Sequence, residues 1–235
     1  MKQFRALYSL ILRTQTTRAR VLMLGALGAV AIVIAIPLRS ADDPLEAGMH
    51  FIDGFGLTLV VPITTLVFAS AALGDFIDDG TMVYLWLRPV RRVKLALAAA
   101  AASLTVVLPL VVTPLAIAAA VVGAGSDLVV GTILASVVGI VAYTGLFVTL
   151  GVRVRRALLW GLLFILVWEG FVARLGDSSS RFAISTYTRS ILSSTTGFEL
   201  ELADMPNAAS YLVPLAVLAA TLAYATHRLQ VQDVA

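Results

Sequence analysis

The sequence predicts an all-α membrane protein with six transmembrane helices and both termini on the cytoplasmic side, and three observations carry that reading. Of 235 residues, 60% are hydrophobic and 13% charged, about half the charged content of an ordinary soluble domain, and the mean hydropathy is +0.96. The apolar residues fall in runs of roughly 20 separated by short charged segments, the spacing set by a hydrocarbon core about 30 Å thick. In lipid each run must satisfy its own backbone, which makes each run a helix. Segments 1–20, 75–94, 152–156 and 227–235 hold 13 of the 17 Lys and Arg residues, and that bias places both termini inside and makes the number of spans even.

Taken in order as a single transmembrane domain, residues 1–20 form an amphipathic segment. Phe4, Leu7, Tyr8 and Ile11 recur on one face, with Lys2, Arg5, Ser9 and Arg13 opposite, the pattern of a helix lying in the headgroup plane. The six spans are 21–38, 51–73, 93–122, 128–150, 157–173 and 209–225. The third is longer than a bilayer needs and contains Pro109 and Pro114, so it is expected to tilt or extend into the cytoplasm with a kink. Arg18 and Arg20 flank a first run too long for a signal-peptide core, which reads as a retained anchor. Residues 174–207 form an outer loop in which Ile184, Tyr187 and Ile191 suggest a short surface-lying helix, with a solvated Ser-rich linker as the alternative.

Composition also excludes. There is no cysteine and there are two histidines, His50 and His227, far apart, which removes disulfides and thiolate chemistry. The five methionines are scattered, so no soft-metal path is expected. The net charge of +3 reads as positive-inside loops rather than nucleic-acid binding. No Gly-x-Ser-x-Gly, His-Glu-x-x-His or Walker segment is present, so the chain is expected to be no enzyme and to hold no cofactor or metal of its own.

Two spans carry small residues at helical spacing: Gly25 with Gly28, and Gly131, Ala135 and Gly139. Such ridges allow close helix approach, within a subunit or across a subunit seam. Glu169 is the one acid well inside a span, close to its outer end by this numbering. It reads either as a structural partner of Arg174 or Arg181, or as a substrate or proton group. Arg153, Arg155 and Arg156 read as orientation signals attracted to anionic lipid. Asp42, Asp43, Glu46 and His50 read as a solvated loop.

The most informative stretch joins spans two and three. Asp78 and Asp79 beside Gly80-Thr81 suit the start of a short helix. Met82, Leu85 and Trp86 give it an apolar side, Tyr84 lies among them, and Arg88-Pro89 stop it. Such a helix, within residues 75–92, offers side chains to a soluble partner. Here the chain resembles the permease subunits of ABC-2 type exporters, on Asp78, Gly80, Thr81, Leu85, Leu87, Pro89, Arg92 and Lys94, with Asp where Glu is commoner. The similarity of layout extends over the whole chain.

The resemblance implies a half-transporter in a bacterial inner membrane. It would pair with a second permease copy, as a homodimer or heterodimer, and move an amphiphilic drug, peptide or lipid outward. Segment 75–92 would be a coupling helix seated on a separate cytoplasmic ATP-binding subunit, which would hold the ATP and Mg. Asp78, Asp79, Gly80, Thr81, Met82, Tyr84, Leu85 and Arg88 would be the docking residues, and Glu169 and Tyr187 candidates for the translocation path or outer gate. A non-transporting assembly or sensing subunit that docks the same ATPase is the alternative. An ion-coupled carrier would usually need more buried ionisable groups or interrupted half-helices.

Overall fold

The computed structural model describes residues 2–81, 91–174, 177–203 and 205–231, and these are helical or connecting, with no strand among them. The helices are α1 (Lys2–Gln15), α2 (Arg18–Leu38), α3 (Pro44–Asp78), α4 (Arg92–Val122), α5 (Ser126–Arg153), α6 (Ala157–Glu169), α7 (Asp177–Ser180), α8 (Ile184–Thr196) and α9 (Asn207–Val231). Two of them contain π-helical turns, α3 over Ile52–Val60 and α6 over Phe164–Glu169.

Among the described residues five helices, α2, α3, α4, α5 and α9, are long and apolar enough to cross a bilayer, and the chain is a multi-pass helical membrane protein. The run expected as a full span at 157–173 folds differently. Its seven α-helical and six π-helical residues cover about 20 Å, short of a core about 30 Å thick. Past Glu169 the Gly170 N–H donates to the carbonyls of Ile165 and Val167 and the Phe171 N–H to Val167 O, and a single 3-10 turn, Val172–Arg174, follows.

α5 is the central post, packed against α3, α4, α8 and α9. Its contacts rely on missing side chains. A Cβ on Gly145 would lie 2.9 Å from Leu218 Cα of α9, and one on Gly151 would run into the Ser70 carbonyl of α3. The Gly131 and Gly139 ridge is filled from within the same chain: Leu192 and Thr195 of α8 lie over Gly131, and Thr188 over Gly139. Gly28 of α2 is covered by the ring of Pro114, where a Cβ would come within 2.6 Å. Its small size therefore serves the α2–α4 contact.

Gly25 lies against Leu110 and Gly28 against Pro114, so α2 and α4 run parallel and the first ten or so residues of α4 project past the start of α2. α1 packs on that projection. Leu7, Ile11 and Gln15 are buried, and the Gln15 amide donates to Phe68 O and Ser103 Oγ, both at 2.9 Å. The apolar face of this amphipathic helix is thus turned onto protein, while Arg5, Ser9 and Arg13 on the opposite face are exposed.

Charge is divided between the ends of the bundle. Arg20 pairs with Asp75 at 2.9 Å, Asp78 shares a cleft with Arg155 and Arg156, and Arg153 lies 5.8 Å from the Tyr224 ring. At the opposite end Asp43 caps α3 by accepting from Leu45 and Glu46 N–H, and Asp127 opens α5.

Candidate functional site

The polar centre of the molecule lies where α6 ends and α8 begins. α8 needs help at its N-terminus: the first N–H groups of a helix have no internal partner, and the capping position is held by Ala183, which has no side-chain oxygen to give. Glu169 supplies both acceptors from another element. Its Oε1 accepts from Ile184 N–H at 3.0 Å and its Oε2 from Ser185 N–H at 3.1 Å, and the buried Tyr143 of α5 lies beside the same carboxylate. The negative group also sits at the positive end of the α8 dipole. Glu169 is 2% exposed.

A second anchor holds the middle of α8. Arg189 donates through Nε to Asp53 Oδ1 at 2.6 Å and through a terminal nitrogen to Thr58 Oγ1 at 3.2 Å. Both acceptors lie in the π-helical part of α3. The two acids that grip α8 thus each sit in a π-helical segment, Asp53 near the start of one and Glu169 at the end of the other. Such wide turns are rare and occur often at functional sites. Around the cluster, Ser185 Oγ and Thr186 Oγ1 are buried without a hydrogen-bond partner.

Depth follows from helical rise. Tyr143 lies about 15 Å from the Arg153 end of α5 and about 25 Å from its Ser126 end, so Glu169 is near the middle of the helix stack rather than one turn from its rim. α6 climbs to that level from the basic end. α8 continues from it toward the other end, its Thr188 beside Gly139 and its Leu192 beside Gly131. The two short helices thus meet at a buried carboxylate inside the bundle, with the end of one and the start of the other beside the same charge.

The anticipated pairing of Glu169 with Arg181 is replaced by this capping role: Arg181 is exposed, and the side chain of Arg174 lies outside the described residues. Tyr187 is buried on α8, but its hydroxyl donates to Arg181 O at 2.6 Å, tying the preceding turn to the helix. The helix expected to lie on the surface is instead buried through Ile184–Leu192.

In the central stretch, Asp78 is the last residue of α3 and Asp79 its C-cap, donating its N–H to Asp75 O at 2.9 Å. Gly80 takes a φ of 67°, open to glycine at little cost, and its N–H returns to Ile77 O. Thr81 Oγ1 donates to Phe76 O at 3.3 Å. These four residues close α3. Met82, Tyr84, Leu85 and Arg88, expected on the docking face, lie outside the described residues.

Arg189, Asp53, Thr58 and Tyr143 were not singled out from sequence. Arg189 stands in a Ser- and Thr-rich segment, and Asp53 lies at the third position of the span expected over 51–73. Among the described residues no three His, Asp or Glu side chains are grouped to hold a metal. Comparison with known protein families gives no match for the chain, and comparison with curated proteins gives none either.

Proposed function

We propose that the chain is the membrane-spanning half of an ATP-driven exporter of the ABC-2 type, working as a pair with a separate cytoplasmic ATPase. The observation that carries this reading is the Asp78-Asp79-Gly80-Thr81 turn followed by Arg91, Arg92 and Lys94. Asp78, Gly80, Thr81, Arg92 and Lys94 in it belong to the family-like set, and the turn closes α3 at the end where basic residues gather. By the positive-inside rule that end is cytoplasmic, within reach of a soluble motor. The buried α8, held at Glu169 and Arg189, serves as the part of the pathway that motion of the spans would displace, with an amphiphilic substrate passing outward.

Co-expression with a candidate ATPase subunit tests the reading. Asp79→Lys and Arg88→Glu are expected to weaken co-purification and to lower substrate-stimulated ATP hydrolysis. Full retention of both in both variants would remove the docking role, and the exporter reading with it. A second reading has one specific support: taken together as one discontinuous crossing, α6 and α8 meet at Glu169, with Arg189 and Asp53 holding α8, as the interrupted half-helices of ion-coupled carriers do. Substrate uptake into vesicles holding the chain alone, driven by an imposed ion gradient, would favour the carrier.

A further inference from the structure

At the basic end, the turn between α5 and α6 faces the end of α3 across an open cleft of about 590 Å³ whose walls include Asp78, Arg155 and Arg156. A narrower recess of about 60 Å³ continues beneath it past Ser70, Gly74 and Leu158. All three charged side chains are exposed. Among the described residues none of the three has an ion-pair partner, whereas the neighbouring Asp75 is taken by Arg20. Two cations and an anion therefore share one cleft without forming an ion pair with each other.

The cleft's position limits what can fill it. Arg155 and Arg156 immediately precede the apolar run of α6, where Leu158, Leu159 and Trp160 are exposed by 45%, 61% and 55%. An exposed Trp at the start of such a run marks the boundary between headgroups and acyl chains. Arg156 is held at φ 58°, a conformation that non-glycine residues seldom adopt, and this fixes where its side chain leaves the turn. Guanidinium groups match phosphate oxygens two at a time, and a free carboxylate matches an ammonium.

We propose that this cleft binds the headgroup of an amine-bearing phospholipid, with Arg155 and Arg156 on the phosphate and Asp78 on the ammonium, while the acyl chains lie along the exposed face of α6. This goes beyond the transporter reading and holds whichever function the chain has. A purely anionic lipid would leave Asp78 facing its phosphate, and a methylated choline would offer Asp78 no N–H donor.

The test is lipid binding by the purified full chain, delipidated in detergent. Native mass spectrometry would count adducts of phosphatidylethanolamine, phosphatidylglycerol and phosphatidylcholine, with the thermal midpoint followed alongside. Phosphatidylethanolamine is expected to bind about tenfold more tightly than the other two, the worth of one charge-assisted hydrogen bond. Asp78→Asn should erase that preference while keeping phosphate binding. Arg155→Gln with Arg156→Asn should lose all three lipids; Asn suits the left-handed backbone at 156, so the turn is preserved. Equal binding of the three lipids, or a preference that survives Asp78→Asn, overturns the proposal. Full competition by soluble phosphoethanolamine would overturn its lipid part, by showing that no acyl chain is recognised.

Discussion

Arg189 and Asp53 form an ion pair whose side chains are 5% and 19% exposed, inside a protein whose outer surface is largely apolar. A buried pair contributes little over an apolar replacement, yet losing one member leaves an uncompensated charge that costs about 3–5 kcal/mol. Arg189→Met is therefore expected to destabilise the folded protein by roughly 3 kcal/mol, read from unfolding in mixed detergent. Adding Asp53→Asn should restore part of that loss. Glu169 has a different chemistry because both of its oxygens accept backbone N–H groups. Glutamine keeps the shape but turns an NH₂ toward one of those donors, so Glu169→Gln is expected to cost about 1–3 kcal/mol, the penalty of one unmatched buried polar group. A substrate-handling carboxylate with no structural duty would show unchanged stability and altered transport, and that outcome would reassign Glu169.

Helix packing turns on where backbones touch. A Cβ on Gly145 of α5 would lie 2.9 Å from the Leu218 backbone of α9, whereas one on Gly54 of α3 would meet nothing within 4 Å. Gly145→Ala is expected to push α9 away at a cost of about 1–3 kcal/mol, and Gly54→Ala to be neutral or mildly stabilising. Melting temperatures of the two variants, measured side by side, decide this; equal values would mean that α9 yields freely. Part of this packing was legible in advance. Gly28, Gly131 and Gly139 stood out by spacing, and each lies at a helix contact. Gly145 and Gly151 did not, because α5 changes partner along its length, from α8 to α9 and α3, and no single face carries a regular repeat. The periodicity of Ile184, Tyr187 and Ile191 correctly placed a helix. Its burial was not legible, since the groups that hold α8 in place, Glu169 and Asp53, lie 15 and 136 residues from their contacts Ile184 and Arg189.

For the molecule as a whole, composition and hydropathy were enough to place all-helical spans, and the half-length α6 was missed because residues 170–173 continue the apolar run past the point where Glu169 turns inward. Orientation rests on charge. The end carrying Arg20, Arg153, Arg155 and Arg156 differs in sign from the end carrying Asp43, Glu46 and Asp127, and positive loops are retained inside. The chain has no cysteine, so single thiols report position without background. A thiol at Ser126, exposed at the acidic end, is expected to react with an impermeant maleimide on intact cells. One at Arg155 should react only after the membrane is opened. A thiol at Ser185, buried behind Glu169, should resist the reagent from both sides in the resting protein and become reactive when Glu169→Gln loosens the α8 cap. Reaction of the Arg155 thiol on intact cells would invert the molecule and place the segment after α3 beyond the reach of any cytosolic motor. Reaction at Ser185 that is already fast with Glu169 intact would instead mean that α8 lies open to water, and the discontinuous crossing would have to be redrawn as an outer loop.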